Sequence, residues 1–170
     1  REMNRLGIIV DISHASVKTF WDAMEATSKP IMASHSSSIE ICAHPRNMND
    51  DQLRAVAQSG GVVSATFVPH FVSERLRLQL EELGLFGTEE EARYWEVAHE
   101  LALPSYTEIV DHIDRMVGIA GIDHVGLGAD FGVLLTTPVG MEDCSKFPWI
   151  TEDLLRRGYS DEDVRKILGE

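Results

Sequence analysis

The feature that most constrains the fold of this chain is a pattern that recurs about four times: a short apolar strand, a polar residue after it and then an amphipathic helix. This alternation is typical of βα units, whose strands lie parallel in one sheet. Four such units make half of a (β/α)8 barrel, which typically needs about 250 residues. We therefore expect an α/β half-barrel. A doubly wound open sheet is the alternative, but the glycine-rich phosphate turn expected after its first strand is absent.

The apolar runs predict strands at residues 6–13, 31–34, 62–68 and 124–130. Helices are expected after three N-cap candidates, which are Ser16, Asn49 and Ser105. Two short terminal helices are expected from Thr151 and from Ser160. The helix after Ser16 should bury one apolar stripe, which comprises Val17, Phe20, Trp21 and Met24. The chain contains no linker, so residues 1–170 should form a single domain.

A long insertion occupies residues 71–104 of this domain, with helical patterns at 74–83 and 89–101. Loops between strands and helices usually have only about two to six residues, so an insertion of this length is expected to have a functional role. We expect either a lid over the site or a surface for a partner, and the sequence favours neither.

The charge of the chain excludes several partners. With 28 acidic against 15 basic residues, the net charge of −13 should repel nucleic acid and anionic membranes. The longest apolar run is far short of the roughly 20 residues that span a bilayer, and residues 1–5 have no signal-peptide pattern. We expect a soluble chain of undetermined compartment, whose Cys42 and Cys144 are unrelated thiols.

Polar residues follow three of the four predicted strands, where α/β barrels place their active sites. His14 and His35 end neighbouring strands one βα repeat apart, and Asp130 ends the fourth. The two imidazoles should therefore lie about 5 Å apart, which suits two nitrogen ligands of one zinc ion. A single histidine after a strand is more often a hydrogen-bonded loop residue, but two at corresponding positions plus an aspartate favour a metal site.

Four stretches of the chain also match a known family in the correct order: residues 7–14 (GIIVDISH), 34–37 (SHSS) followed by Arg46 and Asn47, 126–131 (GLGADF) and 157–169 (RGYSDEDVRKILG). In these stretches the chain resembles the renal or membrane dipeptidase family of zinc peptidases. The resemblance covers nearly the whole chain apart from the insertion. It implies a TIM-type (β/α)8 metal-dependent hydrolase barrel, of which this chain supplies about the last four βα units.

The resemblance also implies roles for individual residues. A complete active site would hold two Zn²⁺ ions bridged by a carboxylate and a hydroxide, and His14 and His35 match the two histidine ligands of one ion. Arg46 matches the arginine that binds the terminal carboxylate of the substrate, a role that suits a guanidinium fork. Asp130 matches the aspartate that contacts the substrate amine and handles the proton during attack. The implied activity is hydrolysis of dipeptides by a metal-bound hydroxide.

The chain departs from the family pattern in two places. The family usually reads Asp-Phe-Asp-Gly at the eighth strand, where Asp130 and Phe131 are here followed by Gly132 and Val133. The His-x-Asp pair of the first strand and the bridging glutamate do not occur, so a missing N-terminal half or a homo-oligomer partner should supply them. Alone, the chain should bind one zinc ion at most and hydrolyse nothing.

The sequence leaves other functions open. A half-barrel has two unpaired strand edges, so the chain could be a non-catalytic binding or assembly module. Another amidohydrolase-like metal hydrolase is a further alternative. Arg46 argues against it, because an arginine that binds a carboxylate suits the terminus of a peptide. Among dipeptidase substrates, the sequence does not select between ordinary dipeptides, D-residue dipeptides and β-lactams.

Of the other histidines, His44 lies beside Pro45 in the Arg46 loop, where it could line the substrate site, but we expect it to be exposed to solvent. His70 is expected near the mouth of the site. His99, His112 and His124 are interpreted as structural.

Overall fold

The computed structural model describes residues 1–86, 96–134 and 136–170. Its centre is a parallel sheet of four strands in the order β1-β2-β3-β4. The strands are β1 (Val10–Asp11), β2 (Ile31–Ser36), β3 (Val62–Thr66) and β4 (Val125–Gly128). Strands that are neighbours in sequence are also neighbours in the sheet, as in a barrel. A doubly wound sheet would reverse its strand order at one point, and this sheet does not.

Helices connect the strands and cover the sheet. They are α1 (Glu2–Leu6), α2 (Val17–Ala26), α3 (Asp50–Gln58), α4 (Pro69–Val72), α5 (Glu74–Glu82), α6 (Tyr106–Ala120), α7 (Phe147–Arg156) and α8 (Asp161–Leu168). Short 3₁₀ turns lie at Ala98–Glu100, Ile122–His124, Phe131–Val133 and Cys144–Lys146. None of the described helices is long and apolar enough to cross a membrane.

The three predicted N-caps are confirmed, because each side chain accepts a hydrogen bond from a backbone N–H of its helix. The helix expected from Ser160 is capped by that residue in the same way. Asn49 and Gln52 form a reciprocal capping box at the start of α3, and Ser105 and Glu108 do so at the start of α6. These local hydrogen bonds fix where each helix starts relative to the preceding strand.

The main core lies between the sheet and the helices that pack on it. Its fully buried side chains include Phe20, Ile31, Leu53, Val63, Ile109, Met116 and Ile150. A second, smaller cluster lies within the insertion and consists of Leu76, Leu80, Leu85 and Leu101. The insertion therefore has an apolar core of its own beside the barrel units.

The first strand was predicted too long. The segment 6–13 contains the end of α1 and only two residues of strand, Val10 and Asp11, which pair with Ile31 and Met32 of β2. Ile8 and Ile9 lie outside this pairing and are 50% and 65% exposed. Apolar residues can indicate a strand, but a strand forms only where a neighbouring strand provides hydrogen-bond partners. Among the described residues, β1 has such a neighbour on one side only, and this limits its length.

The buried face of α2 was also predicted too wide. Phe20 is buried, but Val17 and Trp21 are 54% and 42% exposed, and Met24 is half-buried. α2 directly follows β1, which is an edge strand of the described sheet, so fewer elements are available to cover this helix.

Two boundaries near the C-terminus and in the insertion also differ. The helix expected at Thr151 begins at Phe147, because Pro148 is accommodated in the first helical turn, where no backbone N–H is needed. The first insertion helix is found as α5, whereas residues 89–95 of the second pattern lie outside the described residues.

Candidate metal and substrate site

The strand ends bring His14, His35 and Asp130 to one edge of the sheet. His14 follows β1, His35 lies near the end of β2, and Asp130 follows β4. The carboxyl ends of parallel strands meet at the same edge, so residues distant in sequence become neighbours there.

The two histidines face each other through their Nε2 atoms, which are 2.9 Å apart. Their ring centroids are 5.0 Å apart, the spacing expected for side chains on neighbouring strands. Partial burial and the nearby positive charge of Arg46 lower the pKa of His14. The neutral imidazole, which is the form that binds metals, is thereby favoured.

Asp130 completes the cluster from the far side of the sheet. One of its carboxylate oxygens, Oδ2, lies 3.9 Å from Nε2 of His35. His14 and Asp130, with φ of 68° and 58°, are the non-glycine residues of the described chain that have a left-handed backbone. This conformation is uncommon for residues with a side chain, and it tends to occur at functional sites.

Gly128 permits the close packing of β4 beneath the site. A Cβ atom at this position would lie 1.9 Å from the carbonyl oxygen of Ser34, far inside contact distance. Only glycine therefore lets Asp130 come this near to the end of β2.

Arg46 approaches the cluster from the loop between β2 and α3. Its guanidinium lies over the ring of Phe71, 5.3 Å from the centroid. Its Nε and Nη2 atoms are buried and have no hydrogen-bond partner among the described residues. Burial lowers the pKa of Arg46, although Asp130 and Asp11 oppose the effect. Arg46 as a whole is half-buried, and two unpaired nitrogen atoms on a partly desolvated cation favour an anionic ligand.

The loop that carries Arg46 is fixed at two points. Asn47 donates hydrogen bonds from Nδ2 to the carbonyl oxygens of Cys42, at 3.0 Å, and Phe71, at 2.7 Å. Glu74, the first residue of α5, accepts a hydrogen bond from the backbone N–H of Ala43 at 2.8 Å. The insertion thus supports the loop of Arg46 directly.

The sequence of the whole chain, residues 1–170, matches the profile of the family described as Membrane dipeptidase (Peptidase family M19). The chain belongs to the membrane dipeptidase family. Its overall similarity to solved structures agrees with this. The probable dipeptidase PvdM from Pseudomonas aeruginosa is 27% identical, with a TM-score of 0.83 over 99% of this chain and 49% of that one.

Two further structures are similar. A metallo peptidase from Rhodobacter sphaeroides, liganded with a phosphinate mimic of the dipeptide L-Ala-D-Ala, is 28% identical, with a TM-score of 0.79 over 99% of this chain and 42% of that chain. An amidohydrolase from Pseudomonas aeruginosa is 26% identical, with a TM-score of 0.76 over 99% and 51%. The chain spans about half the length of these relatives, so the predicted fold class, a partial barrel of this family, is confirmed.

The donor set of this dipeptidase family member fits a zinc ion. Two nitrogen atoms bound to one tetrahedral zinc at about 2.0–2.1 Å lie about 3.3 Å apart, and the Nε2 atoms are within a few tenths of an ångström of that spacing. Within the described ranges, no group of three or more His, Cys, Asp or Glu residues could hold a metal ion. The pair of histidines therefore fits one part of a site.

The sequence interpretation missed Asp11 and Ser34, two polar residues that support His35. Asp11 accepts hydrogen bonds from the backbone N–H groups of Ser13 and Ser34 and from the Ser34 hydroxyl. Partial burial opposes its ionisation, but these hydrogen bonds outweigh burial and lower the pKa of Asp11. A carboxylate within the apolar run IIVDI was the signal that could have revealed it.

His44 was predicted to be exposed, and this was wrong. It is buried and stacks on Phe71 with a centroid distance of 3.9 Å, and its Nδ1 accepts a hydrogen bond from the backbone N–H of Arg46. Burial, together with His70 and two arginines, lowers the pKa of His44 to about 3. The aromatic neighbours come from α4 and from Phe86, which the local sequence around His44 does not reveal.

The remaining histidines lie away from the cluster. His112 is buried, donates a hydrogen bond from Nε2 to the Val72 carbonyl and accepts one at Nδ1 from the Ser38 N–H. His124 bonds through Nδ1 to the carbonyl oxygen of Gly61. His99 is exposed beside Glu100. His70 lies in α4 with its ring 5.5 Å from that of His44.

Proposed function

We propose that this chain carries the C-terminal half of the active site of a zinc-dependent dipeptidase. The observation that carries the proposal is the pair of facing Nε2 atoms at 2.9 Å, beside an arginine whose Nε and Nη2 have no protein partner within the described residues. One group suits a metal ion and the other suits a carboxylate, and a dipeptidase needs both at adjacent positions.

Each residue has a distinct role in this proposal. His14 and His35 hold one zinc ion through Nε2. Arg46 binds the terminal carboxylate of the dipeptide with two parallel N–H···O bonds. Asp130 contacts the free amine of the substrate and takes the proton released during attack on the peptide bond. When bound, zinc lowers the pKa of water towards about 7 and polarises the peptide carbonyl.

The complete enzyme in this proposal has a second source of metal ligands. Zinc sites in enzymes use at least three protein ligands, whereas His14 and His35 provide two. The relatives are about twice as long as this chain, so we propose that a polypeptide segment equivalent to their other half completes the barrel. A second copy of this chain is the alternative occupant.

The insertion 71–104 is proposed as a lid or partner surface beside this site. Glu74 of α5 accepts a hydrogen bond from the loop that carries Arg46. Movement of the insertion would therefore displace Arg46, the proposed carboxylate-binding residue.

The test is a zinc titration of the purified chain by calorimetry, followed by hydrolysis of L-Ala-D-Ala and its C-terminal amide. We expect one weak zinc site that is lost in His35→Ala and retained in His99→Ala, the matched control on the surface. The same assays on a longer polypeptide that contains this chain and the completing segment should show dipeptide hydrolysis, and His35→Ala should abolish it. Arg46→Ala should raise KM for the free dipeptide far more than for its amide.

Two outcomes would overturn the proposal. Zinc binding that survives both His14→Ala and His35→Ala would remove the metal assignment. A polypeptide that holds further metal ligands, binds zinc and yet hydrolyses no dipeptide would favour the non-catalytic assembly module.

A further inference from the structure

Asp11 and Ser34 form a hydrogen-bonded chain that ends on the ring of His35, and the dipeptidase proposal gives neither residue a role. Asp11 Oδ2 lies 2.5 Å from the Ser34 hydroxyl, and that hydroxyl lies 2.8 Å from Nδ1 of His35. The other oxygen of Asp11, Oδ1, accepts from the backbone N–H groups of Ser13 and Ser34, at 3.0 and 3.1 Å. The carboxylate is thus held with Oδ2 directed at Ser34.

Which group donates in each of these hydrogen bonds, from Asp11 through Ser34 to His35, follows from the protons that each group carries. A carboxylate only accepts, and a serine hydroxyl has one proton. The Ser34 proton must therefore go to Asp11, which leaves its oxygen lone pairs for His35. Nδ1 of His35 must then carry a hydrogen in order to donate to Ser34. In a neutral imidazole the other nitrogen, Nε2, is consequently unprotonated.

The unprotonated nitrogen is the one that faces His14. The 2.9 Å contact between the two Nε2 atoms needs one proton, which His14 supplies in the absence of metal. His14 itself has no hydrogen bond at Nδ1 within the described residues, so the chain of hydrogen bonds acts on His35 alone.

We infer that Asp11 and Ser34 are positioning residues that hold His35 in the Nδ1–H tautomer, which leaves Nε2 free to bind a metal ion. The statement that Nε2 of His35 binds a metal ion rests on the proposed function. The Nδ1–H tautomer of His35 does not, because it is expected in the metal-free protein as well. Ligand histidines generally donate their second N–H to such a partner, and losing the partner typically lowers metal affinity about 10- to 100-fold.

Asp11→Asn should reverse the donor and acceptor roles in the hydrogen bonds from residue 11 through Ser34 to His35, with little change in the size of the side chain. The backbone N–H groups of Ser13 and Ser34 require an acceptor at the Oδ1 position, so the amide oxygen takes that place. The NH₂ group then faces Ser34 and donates to its hydroxyl oxygen. The Ser34 proton turns to Nδ1 of His35, and His35 adopts the Nε2–H tautomer, which cannot bind a metal through Nε2 until the proton moves.

The first measurement is the tautomer of His35 in the metal-free, ¹⁵N-labelled chain, from two-bond ¹H–¹⁵N correlations at neutral pH. The wild-type chain should show Nδ1–H, Asp11→Asn should show Nε2–H, and Ser34→Ala should show a mixture. Ser13→Ala is the matched control, because the Ser13 hydroxyl accepts from the backbone N–H of His35 at 3.0 Å and does not contact the ring. Its tautomer should remain that of the wild type.

The second measurement is zinc affinity, by competition with a chromophoric chelator. Asp11→Asn should weaken zinc binding about 10- to 100-fold, and Ser13→Ala should weaken it less than about threefold. Nε2–H in the wild-type chain, or Nδ1–H retained in both Asp11→Asn and Ser34→Ala, would overturn the inference. The expected tautomers without any zinc binding by the wild type would support the tautomer and overturn the proposed metal site.

Discussion

At the scale of single residues, two arginines of this chain differ in what surrounds their guanidinium groups. Arg157 donates to Asp111 and Asp114, both at 2.6 Å, and to Asp153 at 3.1 Å, which ties α6 to α7. Arg46 packs on Phe71 and leaves Nε and Nη2 without a partner among the described residues. The first arrangement stabilises the fold, whereas the second agrees with the proposed role of Arg46 in binding the carboxylate of a substrate.

Arg46→Met should therefore leave the free energy of unfolding unchanged or raise it by about 1 kcal/mol, because a half-buried cation with two unpaired nitrogen atoms is replaced by an apolar chain of similar length. Arg157→Met should lower it by about 2 kcal/mol, a value reduced because the carboxylates of Asp111 and Asp114 are partly exposed. Urea unfolding of both variants measures the difference. Equal destabilisation by the two substitutions would mean that Arg46 has a structural role.

The buried His44 should make the fold sensitive to acid. Its pKa is lowered to about 3 in the folded chain by burial, by His70 and by Arg46 and Arg77, whereas an unfolded histidine has a pKa of about 6.5. The unfolded state therefore takes up a proton below about pH 6.5 and the folded state does not. The free energy of unfolding should fall by about 2 kcal/mol from this residue between about pH 7 and pH 5.

His44→Asn tests this, because its side-chain oxygen can still accept from the backbone N–H of Arg46 but does not titrate. The loss of stability between about pH 7 and pH 5, from urea unfolding at each pH, should shrink by about 2 kcal/mol. His99→Asn, on the exposed surface, should leave the loss unchanged. An equal pH dependence in wild type and His44→Asn would contradict the assignment.

At the scale of secondary structure elements, the parts that depend on local sequence were predicted and the parts that depend on distant neighbours were not. The N-caps Asn49 and Ser105 were found because their hydrogen bonds are made within four residues. The placement of His14 and His35 followed from the repeat of strand and helix. The length of β1, the exposure of Trp21 and the burial of His44 depend on which elements pack alongside, and no local pattern encodes that.

Two glycines should respond in opposite ways to substitution by alanine. Gly118 lies inside α6, with open space where the added methyl group would lie. Gly118→Ala should stabilise the chain by about 0.5–1 kcal/mol, because alanine loses less backbone entropy in a helix. Gly128→Ala places a methyl group 1.9 Å from the Ser34 carbonyl oxygen, so it should destabilise the sheet and displace the end of β2.

Thermal unfolding and the zinc titration measure both effects. Gly118→Ala should raise Tm and leave zinc affinity unchanged, and Gly128→Ala should lower both Tm and zinc affinity. An unaltered zinc affinity in a folded Gly128→Ala chain would contradict the role of this glycine beneath the site.

At the scale of the whole molecule, the described chain is a parallel sheet with an open side. Apolar side chains are exposed in the segment before β1 and along α2, among them Ile8, Ile9, Val17 and Trp21. The relatives have about twice as many residues, since this chain covers 42–51% of their length. In a barrel, a further strand pairs with such an edge and further helices cover such side chains. The open side is therefore the surface that a completing segment would bury.

Without that segment, the same edge should drive self-association, because an unpaired strand beside exposed apolar side chains is a template for another chain. We expect concentration-dependent oligomers of the isolated chain in sedimentation equilibrium. Ile9→Lys should shift them to monomer, because it places a charge on the edge at a position 65% exposed and so costs the fold little. Leu155→Lys, on α7 and 44% exposed, is the matched control and should not. A wild-type chain that stays monomeric at concentrations of about 100 μM would mean that this edge does not pair with a second copy, and would leave the completing segment as its occupant.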